Sequence, residues 1–170
     1  VDVACRDTTA LLGRLSAVLR EHGLHITSAT IATWPDGAVL DSFVVIAAER
    51  PSAKDLASEF ERHLHGPLPV APMPDLELAH DNDTLPWHTA VTVTGPDRPG
   101  VLAAVAAAFA AADVVVHTAR VSTAHGSVAD RFAVSDRVGR KLDEATVAVI
   151  RAALAGERPA RRRRRLLATR

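Results

Sequence analysis

The 170-residue sequence is poor in cysteine and in aromatic side chains. Cys5 is the only cysteine, so the chain can form no internal disulfide and no zinc site built on several cysteines. Tyrosine is absent, and four phenylalanines and two tryptophans are too few for the base-stacking surface of an RNA-recognition sheet. These absences disfavour a disulfide-rich secreted protein, and we expect a cytoplasmic one.

Long hydrophobic runs are also missing. The longest apolar runs, such as residues 101–112, are rich in alanine and fall well short of the ~20 residues that a membrane-spanning helix needs. The sequence begins without a methionine or a signal-like segment, inside the alternating pattern "VDVAC". We therefore expect a fragment of a longer protein, with no membrane partner.

The formal net charge of zero conceals an uneven distribution. Residues 157–170 hold seven of the 20 basic residues and one of the 20 acidic ones, so residues 1–156 carry six more acidic than basic residues. Such a tail could contact nucleic acid or another anionic surface through charge alone, or it could be a solvated end. Because the body supplies no complementary basic face, we predict a disordered tail and do not expect nucleic acid as a partner.

The sequence contains a repeat with a period near 90 residues. The stretch "CRDTTALLGRLSAVL" at residues 5–19 has the same outline as "GPDRPGVLAAVAAAF" at residues 95–109, and Asp7 matches Asp97. In both copies an alternating strand pattern is followed by a helix face, a hairpin and a second helix. A further strand near "DLELAH" gives the first copy the order β-α-β-β-α-β, which is the ferredoxin-like plan.

These patterns predict an α+β fold with two ferredoxin-like βαββαβ domains, at residues 1–82 and 83–156. The fourth strand of the second copy is uncertain: it is missing, supplied from elsewhere, or hidden in an unrecognisable sequence. The first strand of each hairpin lies on a sheet edge and is rich in small and β-branched residues, so these edges should pair readily. We predict that residues 27–33 lie against residues 117–123, in one sheet of about eight strands. The alternatives are pairing between two chains and coverage of the edges by upstream domains.

Three short motifs in the second copy resemble those of the ACT domain, a small regulatory module that typically senses amino acids. They are "DRPGVL", "ARVST" and "DRF", and the first copy has the similar "DTTALL", "ATIAT" and "DSF" without the proline and glycine of the loop. Together with the connecting stretch "HDNDTLPWHTAVTVTGPDRPG", the pair resembles the C-terminal regulatory region of the bacterial PII uridylyltransferase/uridylyl-removing enzymes.

This resemblance implies that the chain senses glutamine for a nucleotidyltransferase and has no catalytic residues of its own. The implied partners are an amino acid ligand, the upstream catalytic domains of the same chain, and the PII signalling protein through the full-length enzyme. We expect neither a cofactor nor a metal in this chain. The alternative is a structural ACT pair that mediates dimerisation or domain docking without a ligand.

The loop before the first helix of the second copy is the candidate ligand site. The start of a helix leaves backbone N–H groups unpaired and carries a partial positive charge, so it can hold the carboxylate of an amino acid. We predict that Asp97 caps this helix, that Pro99 fits its first turn, and that Gly100 lets a ligand approach the backbone. The alternative is that proline and glycine merely make a tight turn. The candidate residues are Asp97, Arg98, Pro99, Gly100, Val101 and Leu102, and in the first copy Asp7, Thr8, Ala10, Leu11 and Leu12.

The two loops are predicted to differ as binding sites. Ala10 stands where Gly100 does and Thr9 where Pro99 does, which adds a Cβ at the point of ligand approach. We therefore expect the second loop to be the better site. The predicted strand pairing would place a second wall beside each loop, and Arg120 could bind a ligand carboxylate through two hydrogen bonds. The candidates for these walls are Ser28, Thr30, Thr118 and Arg120.

Overall fold

The helices and strands alternate as the hydrophobic periods indicate. The computed structural model describes residues 1–8, 10–64 and 71–157. In the first half the elements are β1 Asp2–Arg6, α1 Leu11–Glu21, β2 His25–Thr33, β3 Ala38–Ile46 and α2 Ala53–His63. In the second half they are β4 Glu77–Asp81, β5 Thr89–Pro96, α3 Val101–Ala111, β6 Val114–Ala124, β7 Ser127–Asp136 and α4 Glu144–Ala155.

All seven strands of these residues join one antiparallel sheet in the order β1-β3-β2-β6-β7-β5-β4. Its centre is the pair β2–β6, where Thr30 lies opposite Arg120 and Ile31 opposite Ala119. The prediction that the two hairpin strands pair within one chain is therefore confirmed. Both strands consist largely of small and β-branched residues, which suit closely packed strands.

The pairing of the edge strand β4 differs from the prediction. It forms at the expected place, "DLELAH", but it pairs with β5 of the second half, with Leu78 opposite Val93. It therefore supplies the fourth strand that the second copy seemed to lack, and the described residues form a sheet of seven strands rather than about eight. Only residues 82–88 connect β4 to β5, so the two strands meet as a hairpin. The predicted division after residue 82 cuts between these two strands, and it remains a prediction.

The helices pack side by side in the order α2-α1-α3-α4 against one face of the sheet. Alternate residues of the strands point into this layer, and they include Ala29, Ile31 and Phe43 in the first half and Val121 and Phe132 in the second. The Phe109 ring of α3 meets the Phe132 ring edge to face, with ring centroids 5.1 Å apart. The halves thus share one core, which fixes the position of each loop relative to the opposite half.

No helix in residues 1–8, 10–64 and 71–157 is long and apolar enough to cross a membrane. The basic tail lies outside the described residues from position 158 onwards, as does Thr9 in the first loop.

Candidate ligand-binding site

Two pockets lie where the halves meet, one beside each repeated loop. The first, which we call the Gly100 pocket, has a volume of about 210 Å³. The second half contributes all six candidate residues of its loop together with four strand residues, namely Asp97, Arg98, Pro99, Gly100, Val101, Leu102, Val121, Thr123, Val128 and Asp130. The first half contributes the end of α1 and the start of β2, including Ser16, Arg20, Leu24, His25 and Ile26. Neither half alone therefore forms this pocket.

The second, which we call the Ala10 pocket, has a volume of about 310 Å³. It mirrors the first, because a loop of the first half faces the end of α3 and the start of β6. The described candidate residues of the first loop line it, namely Asp7, Thr8, Ala10, Leu11 and Leu12. The structure therefore brings each set of loop candidates to its own pocket.

Each loop ends in a residue with left-handed backbone geometry immediately before its helix. Gly100 has φ 95° and Ala10 has φ 63°, and within the described part of the chain no side chain caps either helix. The predicted capping role of Asp97 is therefore wrong. Its Oδ2 instead lies 3.2 Å from Nε2 of His25, because residue 97 is three positions before the N-cap and its side chain reaches β2 of the other half.

Two arginines line the Gly100 pocket. Arg98 is ion-paired with the carboxylate of Asp75, in the segment that precedes β4. Arg20 projects from the last turn of α1, and its Cδ would come within 3.2 Å of a Cβ added at Gly100. The absence of a side chain at Gly100 thus makes room for Arg20. Its Nε is buried without a hydrogen-bond partner among the described residues, and its Nη2 lies 3.7 Å from Oε1 of Glu21.

The same pocket contains a buried carboxylate that sequence reasoning missed. Asp130 of β7 is fully buried. Its Oδ1 accepts the Ser122 N–H at 3.2 Å, whereas Oδ2 has no partner in the described part of the chain. Burial raises the pKa of Asp130, the hydrogen bond from Ser122 lowers it and the charge of Asp97 raises it, with a net result of about 6. The signal was present in the sequence, because "DRF" places the aspartate two residues before Phe132, on the same inward face.

The Ala10 pocket contains the corresponding carboxylate, Asp41, but it has a different balance of charge. Oδ1 of Asp41 has no partner among the described residues, and burial together with the charge of Asp7 raises the pKa of Asp41 to about 7. The lining also includes Asp113 and Arg137, which form an ion pair with each other at 2.6 Å. Carboxylates therefore predominate here, whereas the Gly100 pocket offers groups of both signs.

The predicted second walls are not where the sequence analysis expected them. Alternation along β2 and β6 turns these side chains to the face of the sheet opposite the helices, and within the described residues none of them lines either pocket. The residues concerned are Ser28, Thr30, Thr118 and Arg120. The strand pairing was predicted correctly, but the face was not. The strand residues that do reach the pockets lie on the inward face or at the strand ends, for example Val121, Thr123, Ile31 and Thr33.

Comparison with protein families gives a match to the ACT domain over residues 89–155, from β5 to the end of α4. The loop of the Gly100 pocket therefore lies inside the matched range, whereas β4, which pairs with β5, precedes it. No solved structure matches the chain significantly.

Curated relatives resemble the chain over most of its length, the ACT domain included. A bifunctional uridylyltransferase/uridylyl-removing enzyme of Rhodospirillum rubrum is 32% identical over 89% of this chain, which is 19% of that protein. Proteins of the same name from Gluconobacter oxydans and Bordetella pertussis are 28% and 34% identical over 84% and 79% of the chain. The chain spans less than a fifth of the length of these relatives, at 19%, 17% and 18%.

Proposed function

We propose that the chain is a regulatory module that binds an amino acid, glutamine, in the Gly100 pocket. The observation that carries this proposal is that one pocket is built from both halves and lined by groups of both signs. The start of α3 and Arg20 offer positive charge to a carboxylate, and Asp130 offers negative charge to an ammonium group. A free amino acid carries both groups on one carbon atom. The volume of about 210 Å³ also suits a ligand smaller than the drug-sized molecules that occupy sites of ~300–1,000 Å³.

The names of the relatives support a setting for this module. Their shared name combines uridylylation with its reversal, so we propose that this chain reports the amino acid to such catalytic activities within a longer protein. On this proposal glutamine is the nitrogen signal and the PII protein is the target of the whole enzyme, in the cytoplasm. The proposed mechanism is allosteric: a ligand that contacts both halves stabilises the arrangement in which the Gly100 pocket is closed.

Thermal unfolding of the 170-residue chain tests this proposal. Glutamine at about a hundredfold its dissociation constant should stabilise the folded chain by ~2.7 kcal/mol, whereas glutamate and alanine at the same concentration should stabilise it less. The other common amino acids complete the screen. A melting temperature that no amino acid changes would contradict the proposal, and a larger effect from a different amino acid would replace glutamine as the ligand.

A second candidate function is a structural ACT pair that mediates dimerisation or domain docking without a ligand. The edge of the sheet favours it, because β1 pairs with β3 on one side and has no neighbour on the other among residues 1–8, 10–64 and 71–157. Such an edge can accept a strand from another chain or domain. Light scattering distinguishes the two functions: a mass that rises with protein concentration and is unaffected by amino acids would favour the structural pair.

A further inference from the structure

Each half of the protein keeps one buried carboxylate with an unused oxygen at the equivalent position. Asp41 of β3 and Asp130 of β7 are 1% and 0% exposed, and both lie two residues before a core phenylalanine. Burying a charged group without a partner is costly, and most buried polar atoms in folded proteins are paired. An unpaired carboxylate oxygen that faces a pocket is therefore a candidate to receive a donor from a ligand.

The charged surroundings of Asp130 fit a ligand that carries both signs. The titratable and charged side chains that share its pocket are Asp97, His25, Arg98 and Arg20. The first two bind each other, and Arg98 is ion-paired with Asp75 outside the loop. Arg20 is ion-paired with Glu21 through Nη2, at 3.7 Å from Oε1, but its buried Nε has no hydrogen-bond partner in the described part of the chain. The pocket thus holds an unpaired acceptor on β7 and an unpaired donor on α1.

We propose that Asp130 binds the α-ammonium group of the amino acid, while Arg20 and the start of α3 hold its α-carboxylate. This inference rests on the proposed function and assigns its contacts. An ammonium group has three N–H donors and would satisfy Oδ2 of Asp130 with a charge-assisted hydrogen bond. A guanidinium and a helix N-terminus are both suited to a carboxylate. The two contacts together recognise what every amino acid shares, so selection among amino acids depends on other contacts.

The Ala10 pocket shows why Asp41 should not form a second site of the same kind. The counterpart of Arg20 in the repeat is Ala110, which lines the Ala10 pocket and carries no charge. Arg137, the arginine of that lining, already pairs with Asp113. Asp41 therefore has the acceptor for an ammonium group but no available arginine for the carboxylate. The chain thus supplies its own matched control.

The raised pKa of Asp130 adds a pH dependence to this binding. The carboxyl group must be ionised to bind an ammonium group, and burial raises its pKa to about 6. Binding should therefore weaken as the pH falls from 7.5 to 5.5. His25, Asp97, Arg20 and Arg98 line the same pocket, so a pH effect is attributed to Asp130 only where a ligand without the ammonium group does not show it.

Calorimetry with two ligands tests the assignment. L-glutamine has both groups, whereas 4-carbamoylbutanoate is the same molecule without the α-ammonium group. We expect Asp130→Asn to weaken glutamine binding roughly 10- to 100-fold, as the loss of a charge-assisted hydrogen bond predicts, and to leave the analogue unchanged. Arg20→Gln should weaken both ligands, and Asp41→Asn should weaken neither.

The possible outcomes separate this inference from the function on which it rests. If the unsubstituted chain binds no amino acid, the proposed function fails. If it binds glutamine and Asp130→Asn binds glutamine equally well, the assignment of Asp130 is wrong while the function stands. Should Asp130→Asn fail to fold, the unsubstituted chain decides: equal affinity for glutamine and the analogue at pH 7.5, or equal pH dependence for both, would overturn the assignment.

Discussion

Gly100 and Ala10 occupy the same place in the two repeats, immediately before α3 and α1, and both have positive φ angles of 95° and 63°. Glycine adopts this backbone geometry without strain, whereas an L-residue with a Cβ pays ~1–2 kcal/mol. The two loops therefore have similar backbone conformations, but only the loop that ends at Ala10 is strained. At Gly100 the missing Cβ also leaves space for Arg20, so backbone geometry and pocket chemistry are linked at one residue.

Gly100→Ala should lower both stability and ligand affinity. The new Cβ has an unfavourable φ and lies 3.2 Å from Cδ of Arg20, which must move. We expect a loss of ~1–2 kcal/mol in the free energy of unfolding, measured in urea, and weaker glutamine binding in calorimetry. Gly139→Ala is the matched control, because Gly139 has φ 80° and open space around it. Equal glutamine affinity in the two variants would contradict the role of Arg20.

Ala10→Gly should stabilise the protein, since it removes the strain of an L-residue at φ 63°. Glycine also increases the entropy of the unfolded chain, so the net gain should be only about 0.5–1 kcal/mol in urea unfolding. Ala148→Gly serves for comparison, because the same substitution in the interior of the exposed face of α4 should cost about 1 kcal/mol. A loss of stability at both positions would show that the strain at Ala10 is negligible.

Asp41 should make stability depend on pH. Its pKa is raised to about 7 in the folded protein, by burial first and by Asp7 second, so the folded state holds a proton that the unfolded state releases near pH 4. The unfolded state then binds fewer protons, and the contribution of Asp41 to stability falls as the pH rises from about 4 to about 7. The free energy of unfolding of Asp41→Asn, relative to that of the unsubstituted chain, should therefore be higher at pH 7.5 than at pH 5. Urea unfolding measures both proteins at each pH. The same difference in the free energy of unfolding at pH 5 and at pH 7.5 would contradict this prediction.

At the scale of elements, the pair β2–β6 holds the two halves together and positions both pockets. Residues 28–32 lie opposite residues 118–122 at the centre of the sheet, and the helices α1 and α3 pack over them. The end of α1 and the start of β2 form one wall of the Gly100 pocket, so the position of this wall depends on the strand pairing. A substitution that disrupts the pairing of β2 with β6 should therefore weaken ligand binding even if the substituted residue does not line the pocket.

Ala119→Pro tests this dependence. Ala119 lies opposite Ile31 on one side and Phe132 on the other, and proline removes its backbone donor. We expect a loss of at least about 1–3 kcal/mol in stability, the cost of an unsatisfied buried group, together with the loss of stabilisation by glutamine. Circular dichroism checks that the strands and helices persist. Glutamine binding that survives unchanged would show that the pocket does not depend on the pairing.

At the scale of the whole molecule, the contacts between halves converge on the proposed site. The bond from His25 to Asp97 joins residues 72 positions apart, and Arg20 of the first half packs over Gly100 of the second. A ligand in this pocket would add further bonds to the same boundary. We therefore expect glutamine to slow hydrogen exchange in β2 and β6, with little change in the edge strand β4. Equal protection in all strands would indicate general stabilisation instead.

Local patterns in the sequence determined the elements and much of the site. The change from period two to period 3.6 located each helix, and the repeat of "DTTALL" as "DRPGVL" identified both loops. Small and β-branched residues in residues 27–33 and 117–123 predicted that these strands would pair, but left open whether they would do so within one chain. These features depend on residues that are close together in the chain, so they can be read from the sequence.

Tertiary structure decided what depends on distant residues. The pattern of "DLELAH" predicts a strand of the first copy, but the folded sheet pairs it with β5 of the second half. Alternation predicts that Thr30 and Arg120 share a face, but which face the helices cover is decided by packing along the whole sheet. Arg20 and Asp130 lie 110 positions apart, and each is unremarkable in its own segment. They meet in one pocket because the paired strands place the end of one half against the loop of the other.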